Sequence, residues 1–103
     1  MSLIPKQNRF ARMIALLILF AQEKGYEVTC GDFFRDERCD YGHPKSLHKR
    51  RLAADLNLFK DGVYLKDTED YRLLGEFWES LGGSWGGRIN DGNHFSLSHD
   101  GMI

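Results

Sequence analysis

The order helix, strand, hairpin, helix, strand predicts an α+β domain, a small and mostly antiparallel sheet with flanking helices. Three observations carry that expectation. A helix-length apolar run near the N-terminus contains neither Gly nor Pro, Asp61-Gly62 sits between two apolar runs, and a segment with 3–4 periodicity precedes a short alternating stretch at the C-terminus. With 103 residues, 42% hydrophobic and 13% aromatic, residues 1–103 can build one core and leave no room for a second domain.

The first helix is expected over Asn8 to Lys24, where Phe10, Met13, Ile14, Leu16, Leu17, Ile18, Leu19 and Phe20 cluster, and it should end near Gly25. Its uninterrupted apolar block, Met13 to Ala21, is well short of the roughly 20 residues that span a bilayer. Arg9 and Arg12 precede that block in the manner of a signal peptide, but Gln22-Glu23-Lys24 offers no small-residue cleavage site. A buried helix is therefore expected, in a chain that is cytoplasmic on synthesis and has no membrane span.

Tyr26 to Cys30 is a short β-prone run, followed after Gly31-Asp32 by Phe33-Phe34-Arg35, which should lead into a cleft. Asp36 to Lys45 is charged, contains Gly42 and Pro44, and reads as a loop bordering the site. Leu52 to Phe59 alternates as a strand, with Leu52, Ala54, Leu56 and Leu58 facing the core and Ala53, Asp55 and Asn57 facing the other way. Asp-Gly then predicts a hairpin to Val63–Leu65. Asp67 or Thr68 can cap a helix built on Tyr71, Leu74, Phe77, Trp78 and Leu81, which Gly82-Gly83 ends. Ser84-Trp85-Gly86-Gly87 reads as a loop of unusual freedom, and His94 to Ser98 as a last strand with His94 and Ser96 on one face.

Net charge is −1 and the pI about 6.4, so no basic field draws the chain to nucleic acid. Cys30 and Cys39 are too few for a disulfide framework and are read as free thiols; eight intervening residues also make them poor zinc candidates.

Chemistry concentrates in two stretches. Ser46-Leu47-His48-Lys49-Arg50-Arg51-Leu52-Ala53-Ala54-Asp55 offers one imidazole and one carboxylate, and Asp91-Gly92-Asn93-His94-Phe95 offers another of each. Two histidines and two aspartates can meet around one divalent ion as a ligand set plus a base. Zinc held by three protein groups keeps a fourth position for water, whose pKa falls to about 7. Seven residues rise about 10 Å in a helix and about 23 Å in a strand, so the chain must bend between His48 and Asp55 for both to reach one ion. The polar run Lys49-Arg50-Arg51 is where it can do so.

Ser46-x-His48-x6-Asp55 followed by Asp91-x-x-His94-Phe95 resembles the M15 zinc peptidases, the D-alanyl-D-alanine carboxypeptidases and phage L-alanyl-D-glutamate endolysins. That family's pattern is Ser-x-His-x-x-Gly-x-Ala-x-Asp, then Glu or Asp, two residues and His. Ser46, His48, Ala53, Asp55, Asp91 and His94 fall on it, while Arg51 stands where the family has glycine. The resemblance covers roughly Val28 to Leu97 and implies the Hedgehog/DD-peptidase type of fold. It implies one zinc per chain on His48, Asp55 and His94, with Asp91 as general base, an aspartate more like the endolysin branch.

It also supports an arginine upstream of the first ligand, for which Arg35 is chosen over Arg38, Arg50 and Arg51, to stabilise the oxyanion. Ser46 is expected near substrate or the turn, and Trp85 either stacks on substrate or seals the core. His43 and His99 are expected at the surface. The implied partner is the peptide stem of bacterial peptidoglycan, attacked by a monomer after release from the cell that made it. A non-catalytic zinc-binding module would instead close the metal with His99, His43 or Cys39. A metal-dependent nuclease is disfavoured by the lack of a basic stripe.

Overall fold

The computed structural model describes residues 3–31 and 52–98. These comprise helix α1 (Ile4–Glu23), strands β1 (Glu27–Cys30), β2 (Ala53–Lys60) and β3 (Val63–Tyr64), helix α2 (Arg72–Ser80), and strands β4 (Ser84–Trp85) and β5 (His94–Ser96). The sheet is antiparallel throughout, in the order β1-β2-β5-β4, with β3 also paired to β2. The α+β class expected from the sequence is the one observed.

Helix α1 starts four residues earlier than its apolar cluster suggested, because Pro5 in the first turn has no N–H to leave unsatisfied there. It buries Phe10, Met13, Ile14, Leu17 and Ala21 along one stripe, each such large side chain contributing about 1.5–3 kcal/mol before entropy is charged. Leu16 and Leu19, which the continuous apolar run had placed with the buried residues, lie outside that stripe and are exposed. The helix ends at Gly25 (φ +94), where Tyr26 N–H bonds to Ala21 O and Gly25 N–H to Gln22 O, both at 3.0 Å. Only a residue tolerant of the left-handed region closes the last turn this way.

Strand β2 is the axis of the sheet. Leu52, Ala54, Leu56 and Leu58 are fully buried against the helices, while Asp55 and Asn57 are half-buried on the opposite face. The hairpin to β3 turns at Asp61 (φ +52) and Gly62 (φ +77), the paired positive φ values that Asp-Gly accommodates. A 3-10 turn over Thr68–Tyr71 leads into α2, and Asp67 N–H donates to the Asp70 carboxylate at 3.2 Å. Trp78 of α2 ties the layers together: its ring meets Phe10 and Phe95 edge-on, and its Nε1–H donates to Ser96 O at 2.9 Å.

The segment after Gly82-Gly83 differs from its expected loop. Ser84–Trp85 pairs with β5 as β4, and Gly86–Ile89 forms a 3-10 turn. Its glycines serve close approach: a Cβ on Gly86 would lie 2.2 Å from Asp91 O, and one on Gly87 would lie 2.1 Å from the Trp85 ring. No helix among the described residues is long and apolar enough to cross a membrane.

Candidate metal centre and its supporting loop

Strands β2 and β5 meet in a register that sets Ala53 opposite Ser96, Ala54 opposite Phe95 and Asp55 opposite His94. Alternation along both strands then puts Asp55, His94 and Ser96 on the face turned away from the helices. Asp55 Oδ1 and His94 Nδ1 stand 3.3 Å apart, with the two side chains 25% and 15% exposed, enough to be reached from solvent. The pair bonds directly when nothing lies between. Its spacing also suits joint ligation, since two donors about 2.1 Å from one tetrahedral zinc lie about 3.4 Å apart. One carboxylate and one imidazole are donor types that zinc accepts. Among the described residues no third His, Cys, Asp or Glu completes a cluster. The third expected ligand, His48, lies outside the described residues, as do Arg35, Ser46, Arg38, Cys39, His43, Arg50, Arg51 and His99.

His94 is delivered by a turn clamped from several sides. Asp91 O accepts from His94 N–H at 3.2 Å, which closes the turn Asp91-Gly92-Asn93-His94. Asp91 N–H donates to Gly86 O at 2.8 Å, and Asn93 O accepts from Leu56 N–H at 2.9 Å. Gly92 is pressed on the 3-10 turn, where a Cβ would lie 2.7 Å from Thr68 Cα. The Asp91 backbone thus starts the turn, while its side chain remains at the surface, three residues ahead of His94.

Trp85 supports this turn from inside. Its ring is 3% exposed, so it seals the core, the second of its two expected roles, and offers substrate no open face for stacking. The indole Nε1–H donates to Gly92 O at 2.7 Å. Gly75 and Gly87 both lie against the ring, and the guanidinium groups of Arg72 and Arg88 sit 5.7 Å and 5.5 Å from its centre. Arg88 is held by Glu79 through bonds of 3.0 Å and 2.8 Å, and Arg88's hydrogen bonds keep the Glu79 carboxyl below the usual carboxylate range. Arg72 does the same for Glu69.

Sequence reasoning passed over three residues near the pair. Asn57 and Asn93 bond to each other at 3.2 Å beside Asp55 and His94. Ser96 is fully buried, and its Oγ has no hydrogen-bond partner among the described residues. The signal available for Asn57 and Ser96 was alternation alone, each lying two residues from an expected ligand on the same face.

The described residues form a small α+β domain whose polar sheet face carries a cross-strand carboxylate–imidazole pair. A family model described as D-alanyl-D-alanine carboxypeptidase, of the M15 peptidases, matches residues 40–97, more than half of the chain, and the chain belongs to that family. The matched segment contains β2, α2, the clamped turn and β5. No curated protein matches the chain. As a member, it is a peptidase-type domain whose relatives act on substrates of the peptidoglycan kind.

Proposed function

We propose that this chain is a zinc peptidase that hydrolyses an amide bond in the peptide stem of bacterial peptidoglycan, of the phage or prophage endolysin type. The observation that carries the reading is the Asp55–His94 pair, whose 3.3 Å donor separation suits one tetrahedral ion and whose strands are those of the matched family segment. Asp55, His94 and, from outside the described residues, His48 would hold one zinc per chain. When bound, zinc supplies Lewis acidity and a nucleophile at neutral pH.

The chain's own groups do the rest. Asp91, at the surface three residues before His94, takes the proton released during attack and returns it to the leaving amine. Its backbone is fixed by Gly86 and His94, so the carboxylate is presented by a rigid turn. Arg35 is assigned to the developing oxyanion and Ser46 to the substrate or the bend before His48. The aspartate at position 91 supports the endolysin branch rather than the carboxypeptidase branch. Digestion of purified peptidoglycan with zinc-loaded protein, followed by mass spectrometry of the released fragments, tests the reading. Stem-peptide cleavage at one defined amide bond is the expected result; an intact wall after exhaustive digestion overturns it.

A further inference from the structure

Helix α1 packs the stripe Phe10, Met13, Ile14, Leu17 and Ala21 on the core, and a second stripe on its outer side faces solvent. At about 100° per residue, Arg12, Leu16, Leu19 and Glu23 fall within an arc of about 60°, turned about 145° from the centre of the buried stripe. All four are exposed, Leu16 at 44% and Leu19 at 62%. Their spacing of four, three and four residues is that of a coiled-coil seam.

The stripe is its own complement. Read in reverse, Arg-Leu-Leu-Glu becomes Glu-Leu-Leu-Arg, so a second α1 laid antiparallel sets Arg12 against the partner's Glu23 and Leu16 beside the partner's Leu19. A two-fold axis repeats both contacts, as an isologous interface requires. Neither charge has an ion-pair partner among the described residues. Glu23 is the only acid on α1 and lies about 16 Å along the axis from Arg12, beyond reach within one helix. Arg9, by contrast, is turned to α2, where its guanidinium reaches Leu81 O at 3.4 Å. An apolar centre with one charge of each sign at its ends also lacks the Lys/Arg-rich character of a membrane-surface helix.

We propose that the outer face of α1 is a homodimer interface, on which a second copy of the chain packs antiparallel through Arg12, Leu16, Leu19 and Glu23. The two-fold axis crosses the helix between Leu17 and Ile18, midway along the stripe. Four seam residues per copy bury less than the roughly 1,200 Å² of a stable interface, so the pair forms and separates with protein concentration. Asp55 and His94 lie on the sheet face turned away from the helices and stay open in such a dimer, which makes the inference independent of the peptidase reading.

The test is sedimentation equilibrium of wild type, Arg12→Glu, Glu23→Arg and an equimolar mixture of the two variants, each from about 10 µM to about 1 mM. Wild type should shift from monomer toward dimer across that range. Each variant alone sets like charges against each other at both ends of the seam, and its dimerisation should weaken at least about tenfold. The mixture should regain dimer, because one copy then carries two acids and the other two arginines. Both substitutions are at exposed positions, and thermal melts confirm that each variant is folded. Wild type that stays monomeric throughout overturns the dimer and leaves the face to a different partner. A dimer that both charge reversals leave intact, or a mixture with no more dimer than its components, overturns it as well.

Discussion

Asp55 and His94 face one another across β2 and β5, Oδ1 to Nδ1 at 3.3 Å, in a register fixed by Leu56 N–H on Asn93 O and Leu97 N–H on Leu52 O to either side. The strands hold the two donors at the separation that the proposed zinc would require. Purified protein should therefore carry about one zinc per chain, lost to chelators and restored by added metal. Alanine at Asp55 or His94 should lower zinc occupancy by elemental analysis with the fold retained. Full hydrolytic activity in a metal-free preparation would rule the metal out.

Asp91 should behave differently from the ligands. Asp91→Asn preserves shape and leaves the backbone bonds to Gly86 and His94 in place, but the amide cannot accept a proton. Zinc should stay bound while hydrolysis slows by roughly 10²–10⁴. Loss of zinc in this variant, matching His94→Ala, would make Asp91 a further ligand and the site a closed one.

Arg35→Ala is expected to leave zinc content unchanged and slow turnover by roughly 10²–10³, as removal of an oxyanion donor does. A silent Arg35→Ala together with a slow Arg50→Ala or Arg51→Ala would transfer the role to the other arginine.

For Trp85 the expected loss is one of support. Trp85→Phe keeps a ring against Gly75 and Gly87 but strips the donor from buried Gly92 O, at a cost of about 1–3 kcal/mol in urea-measured stability. Hydrolysis should fall with the stability, because the same turn presents Asp91 and His94. A variant as stable and active as wild type would mean that water replaces the indole N–H without loss.

Several parts of this arrangement were legible in the sequence. Alternation from Ala54 to Leu58 sorted core from polar face, while Ala53, expected on the polar face, is fully buried and belongs to the core; Asp61-Gly62 fixed the hairpin because its backbone tolerance suits two positive φ values. The loop expected at Ser84 to Gly87 was misread, since glycines that give freedom and glycines that admit a neighbouring backbone look alike in one sequence. Only the positions of Asp91 O and the Trp85 ring tell them apart. The Trp85–Gly92 bond and the Asn57–Asn93 pair join residues that spacing alone does not bring together.

Tyr71 gives a prediction that is independent of catalysis. Its hydroxyl donates to Leu65 O at 2.8 Å and accepts from Leu58 N–H at 3.1 Å, joining the 3-10 turn to β2 and to the residue after β3. Tyr71→Phe leaves the buried Leu58 N–H and the half-buried Leu65 carbonyl without this partner, and about 1–3 kcal/mol of stability should be lost. Burial pushes the phenol's pKa up from its ordinary 10.0, outweighing the opposing effect of the Leu58 N–H. A raised pKa means that the folded state holds the proton more tightly than the unfolded chain does. The hydroxyl's contribution is thus complete below the unfolded value and declines as pH rises through the folded one. Urea unfolding of wild type and Tyr71→Phe should show a constant stability difference from about pH 6 to 9 that narrows above about pH 10. Comparing the two proteins cancels the titrating groups that do not interact with Tyr71, and Tyr64→Phe in both backgrounds removes the neighbouring phenol that does. A difference that stays constant through about pH 11 would mean that burial does not hold the phenol neutral.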